Sequence, residues 1–196
     1  NDIFNHEIIE SLDCGFEFKE NPINRILNLN DLTEDKNKYL KKLFQSINSI
    51  EDCSLKNNSK NLILGDGNID SQLMLIGEAP NDKDDKDGKP FSGEVGDLLE
   101  KMLNAINIKK DNVYFSYAVN FRPPEDRKPT STEIKKYSNF LISHISIIQP
   151  KIIVLMGSTA MESLTGLKTK ISDERGKWKD LIIKNKLYPT LITFNP

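Results

Sequence analysis

Cysteine is nearly missing from this chain of 196 residues, which has only Cys14 and Cys53. Two thiols are too few for a disulfide framework or a self-contained metal site, and in a cytosolic chain both are expected to stay reduced. No apolar run approaches the ~20 residues that a membrane-spanning helix needs. No secretory leader opens the chain. A cytoplasmic protein without membrane association is therefore expected. An excess of positive charge is also lacking: the net charge is −2 and the sequence pI is about 5.8. That argues against strong long-range attraction to nucleic acid, though not against a local basic face. A glycine-rich phosphate loop is absent too, which disfavours an ordinary nucleotide-binding α/β domain.

The remainder reads as a globular protein, 37% hydrophobic and 29% charged, long enough to bury a core without staples. Its length suits one domain over 1–196, with a helical part over 1–52 and an α/β core over 53–196; a monomer is expected. The excess of lysine over arginine, with abundant Ile and Asn, points to an AT-rich genome rather than to function. The chain starts at Asn1 without Met and stops at Pro196 just after an apolar run, so it reads as a fragment. Two basic stretches stand out: Lys168, Lys170, Arg175, Lys177 and Lys179, and then Arg122, Arg127 and Lys128 beside a Pro-Pro turn. Either is a solvated loop or a DNA-facing patch.

Periodicity gives the elements. Ile3, Phe4, Ile8, Ile9 and Leu12 have helical spacing, and Asn21-Pro22 breaks the chain. A longer helix is expected from Asp31 to Asp52, with Leu40, Leu43, Phe44, Ile47 and Ile50 on one side. After Leu62-Ile63-Leu64, Gly65-Asp66-Gly67-Asn68 reads as a turn. Leu73 to Ile76, closed by Gly77, and Ile152 to Met156 are fully apolar runs, as strands buried on both faces require. Strands are also expected at Val113 to Val119, Trp178 to Ile183 and Thr190 to Phe194. The stretch from Glu78 to Gly93 reads as a charged loop. Leu98, Leu99, Met102, Leu103 and Ile106 mark an amphipathic helix. Thr130 and Glu133 have capping-box spacing for a helix running to about Gln149, and Gly157-Ser158-Thr159-Ala160 begins a short one. Strands alternating with helices imply a three-layer α/β/α fold around a mostly parallel sheet. Ligands of such sheets sit beyond the carboxyl ends of the strands, which gathers Gly77-Glu78, Tyr117 to Asn120, Gly157-Ser158 and Asn195-Pro196 around one crevice.

Four strand ends carry words: Gly77-Glu78-Ala79-Pro80, followed by Gly88-Lys89-Pro90-Phe91-Ser92-Gly93; Arg122-Pro123-Pro124-Glu125-Asp126-Arg127-Lys128-Pro129; Arg175-Gly176-Lys177-Trp178; and Thr193-Phe194-Asn195-Pro196. In this order and spacing, from about Cys53 to the end, they resemble the family-4, iron–sulfur type of uracil-DNA glycosylase. Asn21 to Ile26 is similar to a lead-in of alphaproteobacterial members. The resemblance implies the glycosylase fold, DNA carrying a deaminated base as partner, and base excision repair as the role. A glycosylase draws a base from the stack into a snug pocket and breaks its bond to deoxyribose. The sugar becomes cationic and the leaving base anionic, so the site needs an aromatic platform, hydrogen-bond donors for the base, and an anion or positioned water at the sugar.

The resemblance makes Phe91 the platform and Glu78 the carboxylate that places water and stabilises the sugar. Gly77, Ala79, Pro80, Asn81 and Tyr117 line the base, and Asn195 stands where a donor to the leaving base belongs. Apart from the resemblance, Phe91 is readable as a core residue and Glu78 as a turn cap. Ser158 and Thr159, at a helix N-terminus, suit either a DNA phosphate or simple capping. Arg122 and Arg127 are further phosphate candidates.

The chain departs from the family at both of its chemical centres. The family holds a four-iron cluster on four cysteines; the matching positions here are Ile50, Cys53, Phe121 and Tyr137. One thiolate cannot replace four, so no cluster or other cofactor is expected, with apolar packing in its place and Cys53 as a small buried hydrophobe. In the pocket, the family's base-reading Asn is Tyr117, its His before the last Pro is Asn195, its Gly after Pro80 is Asn81, and the Asn of its Arg-Pro-Pro loop is Asp126. Neither His6 nor His144 is placed to substitute; Leu141 and Ile148 around His144 suggest packing. Two readings remain open: an active glycosylase with an altered pocket, and a glycosylase fold that binds DNA or protein without catalysis.

Overall fold

The computed structural model describes residues 29–51 and 53–196, with side chains from residue 35 onward. The expected helix over 2–13, the break at Asn21-Pro22, and Cys14 and His6 lie outside the described residues. In chain order come α1 (Leu29–Asn48), α2 (Ser54–Asn58), β1 (Gly65–Gly67), β2 (Leu73–Gly77), α3 (Asp82–Asp87), α4 (Gly93–Ala105) and β3 (Val113–Tyr117). Then follow α5 (Ser131–Ile148), β4 (Ile152–Met156), α6 (Ser158–Thr165), α7 (Ile171–Glu174), β5 (Trp178–Ile183) and β6 (Lys186–Thr193).

The six strands form one sheet in the order β1-β3-β2-β4-β6-β5. The centre, β3-β2-β4-β6, is parallel, and each edge adds one antiparallel strand. Alternation divides the side chains between the two faces. On one face Met74, Ile76, Tyr114, Ile153 and Leu155 pack with Leu141, Ile145 and Ile148 of α5 and Ala160 of α6. Leu75, Val113, Phe115, Tyr117 and Met156 pack on the other with Leu99 and Leu103 of α4. Helices thus cover both faces, in the expected three layers. Lys36 ties α1 to this body: its Nζ donates to Ile69 O at 3.0 Å and Ile148 O at 3.1 Å.

Four expectations shift. Gly65–Gly67 is an edge strand on β3 rather than a turn. Glycine there permits close approach, since a Cβ on Gly65 would lie 2.7 Å from Phe115 O. The charged loop after Glu78 contains α3, capped at Asn81. The last strand starts earlier, at Lys186, because Lys184-Asn185 makes a hairpin turn with φ of 46° and 63°, backbone of the type I′ kind. In α4, Leu99 and Leu103 are buried, while Leu98, Met102 and Ile106 are exposed.

His144 is a core residue, as its neighbours suggested. Ser116 Oγ donates to Leu64 O at 2.8 Å and lies 3.3 Å from His144 Nδ1, so Nδ1–H donates to Ser116. Nε2 then accepts from the Tyr114 hydroxyl at 2.9 Å. All three groups are neutral, and burial pushes the imidazole pKa down from 6.5 to about 3. Unfolded chains protonate His144 below about pH 6.5, whereas the folded protein resists until about pH 3. The stability gained from burying neutral His144 is complete above that window and declines as pH falls through it, by at most about 1.4 kcal/mol per pH unit. Urea unfolding at neutral pH and near pH 4 should show a larger loss of stability for wild type than for His144→Gln. Equal losses would mean that His144 does not titrate in this interval.

Candidate active site

Gly77 ends β2 where two aromatic rings close over it. A Cβ at Gly77 would lie 2.7 Å from Phe91 Cζ and 2.8 Å from Tyr117 Cε1, so only glycine lets both rings approach. Phe91 and Tyr117 stack with centroids 4.8 Å apart and planes inclined by 33°; each is only 4% exposed. Phe91 sits at φ 53°, a left-handed backbone that costs a non-glycine residue about 1–3 kcal/mol.

A buried carboxylate holds this turn in place. Asp84 of α3 is 0% exposed. Its Oδ2 accepts from the Tyr117 hydroxyl at 2.8 Å and from Asn81 N–H at 3.0 Å. Its Oδ1 accepts from Ser92 N–H at 2.7 Å. Phe91 N–H donates to the Tyr117 oxygen at 3.0 Å, so that hydroxyl is spent in both directions. Burial, followed by the Asp84 charge, pushes the Tyr117 phenol far above its usual range. Next to it, Asp85 accepts from Lys60 N–H at 3.0 Å and Asn61 N–H at 2.8 Å.

Glu78 follows Gly77 and turns toward α6. Its Oε1 accepts from Thr159 N–H at 2.8 Å and from the Ser158 hydroxyl at 3.2 Å, which places an anion at a helix N-terminus. Gly157 makes room: a Cβ there would lie 2.5 Å from Glu78 Cδ, and its φ is 97°. Lys128 Nζ donates to Ser158 Oγ at 2.7 Å, bringing a cation within one hydroxyl of Glu78. Gly157 N–H donates to Thr193 O at 2.9 Å, so the end of β6 adjoins the site. Asn195 is exposed beyond it, its amide 3.5 Å from Pro196 O.

The crevice inferred from strand ends thus brings together Gly77, Glu78, Phe91, Tyr117, Ser158 and Thr159. Pro80 is buried, and Ala79 and Asn81 half-buried, between the Glu78 turn and α3. Asn120 faces away: its amide donates to Ile63 O at 2.9 Å. The arginines carry carboxylate partners. Arg122 grips both oxygens of Asp126 (2.7 and 3.1 Å) and Asp82 (2.7 Å). Arg127 forks onto Glu133 at 2.7 and 2.9 Å, and that contact holds the Glu133 carboxyl down at about 2. In the other basic stretch, Lys177 and Lys179 pair with Glu174 at 3.4 and 2.8 Å, and Arg175 lies 4.7 Å from the Phe194 ring centroid.

The four cluster-matching positions meet in a single apolar cluster. Buried Cys53, Phe121 and Tyr137 pack with Leu43 and Ile47 of α1, and half-buried Ile50 lies against them. Cys53 Sγ and Tyr137 Oη share a hydrogen bond at 3.1 Å, and the Phe121 and Tyr137 rings meet edge-on at 6.3 Å. One thiol, already bonded to a phenol, is the wrong donor set for a cluster that takes four thiolates.

Sequence reasoning missed Asp84, and it named Lys128 only within a basic stretch, not as a neighbour of the Ser158–Glu78 pair. Asn81 and Asp84 do have capping-box spacing, and the box forms, but nothing in the spacing shows that the aspartate is buried. Asp84→Ala would leave the Tyr117 hydroxyl and two backbone N–H groups without an acceptor. The hydroxyl is buried and the two N–H groups are partly buried; at about 1–3 kcal/mol for a buried orphan, a loss of at least about 1 kcal/mol in urea unfolding is expected. A loss below about 1 kcal/mol would mean that water replaces the carboxylate.

Comparison with known proteins agrees with this geometry. The family model for the uracil DNA glycosylase superfamily matches residues 64–196. A type-4 uracil-DNA glycosylase of Thermotoga maritima is 37% identical over 139 residues, covering 70% of this chain and 72% of the relative. Those of Sulfurisphaera tokodaii and Pyrobaculum aerophilum are 32% and 31% identical, each over 80% of this chain and over 77% and 82% of their own lengths. With matches of this depth over most of its length, and with the strand-end motifs gathered at one crevice, the chain belongs to the uracil-DNA glycosylase superfamily, among its type-4 members.

Proposed function

We propose that this protein is a DNA glycosylase of base excision repair, acting as a cytoplasmic monomer of one domain. In this reading it hydrolyses the N-glycosidic bond of a uracil, or another deaminated base, flipped from DNA. The observation that carries the reading is Glu78, fixed by the α6 N-terminus beside Gly77, against which the Phe91 ring closes. The bond between base nitrogen and C1′ breaks with its electron pair leaving on the base. Water adds its oxygen to C1′, and its proton goes to the base. Glu78, at the sugar, opposes the positive charge of the transition state and orients that water. Asn195 donates to the leaving base, and Gly77, Ala79, Pro80, Asn81, Phe91 and Tyr117 form the cup. Ser158 and Thr159 serve the phosphate side, although the Thr159 N–H is already given to Glu78. Arg122 and Arg127 contact phosphate by exchanging carboxylate partners.

We also infer that no iron–sulfur cluster is bound, on the strength of the Cys53–Tyr137 hydrogen bond and the apolar cluster around it. Freshly purified protein should lack the broad visible absorption of sulfur-to-iron charge transfer, and its presence would contradict the inference.

A second reading, a glycosylase fold that binds without cleaving, is favoured by the buried ring of Tyr117 on Phe91. Excision from a labelled oligonucleotide bearing one uracil, followed by alkali, separates the two; hypoxanthine and xanthine substrates test for changed specificity. Strand cleavage is expected with enzyme in excess. Asn195→His should raise the single-turnover rate by up to about 10²-fold, as a stronger donor meets the leaving anion. No product from wild type or variant, on any of these bases, would decide for the second reading.

A further inference from the structure

The cup already contains a ring. Tyr117 lies on Phe91 at 4.8 Å, the separation at which planar groups stack. Its polar end is satisfied as the edge of a base would be, donating to Asp84 Oδ2 at 2.8 Å and accepting from Phe91 N–H at 3.0 Å. A flipped pyrimidine asks for the same two things, a face on an aromatic platform and a polar edge against fixed donors and acceptors. We propose that Tyr117 is a built-in surrogate base. It fills the cup at rest, is displaced when a base enters, and returns once the base has left, so the DNA held most tightly is one with a base-free sugar.

The inference rests on the reading of Gly77, Glu78 and Phe91 as a base site. A base takes the place of Tyr117 on Phe91 only by breaking a stack and two buried hydrogen bonds. An abasic sugar demands neither, and it still meets Glu78, whose carboxylate is held by Thr159 N–H and Ser158 independently of Tyr117. Both rings belong to the apolar core that includes Leu99 and Phe115, so the closed arrangement continues the packing of the sheet. The cavity of about 250 Å³ on which Phe91 also borders, with Leu99, Leu103 and Phe115, has neither Glu78 nor Tyr117 in its wall, so a base lodged there would not meet the carboxylate. Asp84 is a positioning residue here: it touches Tyr117 and the turn, not the DNA.

The test is fluorescence anisotropy with three labelled duplexes: one with a tetrahydrofuran abasic analogue, one with the uncleavable 2′-fluoro-2′-deoxyuridine, and one undamaged. Wild type should bind the abasic analogue about tenfold or more tighter than the fluorouridine duplex, the order expected when a base must first break hydrogen bonds. Tyr117→Asn, which uncovers Phe91, should abolish that preference and speed uracil excision. Tyr117→Phe, which keeps the ring and loses the tie to Asp84, should fall between the two, with melting curves confirming that each variant folds. Equal binding of the two lesions by wild type, or an undiminished preference in Tyr117→Asn, overturns the proposal. If wild type excises uracil as fast as Tyr117→Asn, the surrogate fails while the glycosylase reading stands. If neither lesion is bound better than undamaged duplex, the base-site reading falls and the surrogate with it.

Discussion

The buried carboxylate of Asp84 is the interaction on which the rest of the site depends. A charge taken out of water is costly unless its lone pairs are filled. Here they are filled by three donors from three places in the chain: the Asn81 cap, the backbone after Phe91, and the hydroxyl at the end of β3. Those donors fix the turn after β2, the left-handed backbone at Phe91 and the rotamer of Tyr117 together. Asp85, one residue on, does the same for the loop at Lys60 and Asn61. A six-residue helix of almost pure charge is therefore the clamp of the cup.

This explains why some of the molecule is legible in the sequence and some is not. Leu73 to Ile76 and Ile152 to Met156 announce themselves because strands covered on both faces have no position for a polar residue. Thr130 and Glu133 announce α5 because a capping box is local chemistry. By contrast, Asp82 to Asp87 carries no apolar period and reads as solvated loop, since burial of Asp84 and Asp85 is decided by donors distant in the chain. Gly65 to Gly67 reads as a turn because glycine usually marks one, whereas here it lets an edge strand approach β3. The resemblance located Phe91, Glu78 and Tyr117, but whether the Tyr117 ring lay inside the cup or outside depended on a partner, Asp84, that no motif named.

The second departure from the family follows the same physics with opposite polarity. Where four thiolates would tie α1, the strand leading to Arg122 and α5 through metal, Ile50, Cys53, Phe121 and Tyr137 sit among Leu43, Ile47 and Leu55. A cluster joins separate segments by a few strong bonds; apolar side chains join them by area and close packing. Burial, then the neighbouring thiol, drives the Tyr137 phenol far above its usual range. In the cluster-free reading proposed above, packing of this kind takes the place of the metal cross-link.

Electrostatics bears on how such a protein meets DNA. The arginines of the Arg-Pro-Pro loop are bound to Asp82, Asp126 and Glu133, and the net charge of the chain is −2. Each phosphate contact by Arg122 or Arg127 replaces a carboxylate contact, so the gain in attraction is the difference between two ion pairs. Non-specific affinity depends on phosphate neutralisation, and the pairing of these two arginines would reduce their share of it. In the proposed reading discrimination falls to the crevice, where the Lys128–Ser158–Glu78 chain and the Phe91–Tyr117 stack would meet the extruded sugar. On that reading, a surface whose loop arginines are already paired, set around a filled cup, would favour DNA whose damaged nucleotide is already out of the stack.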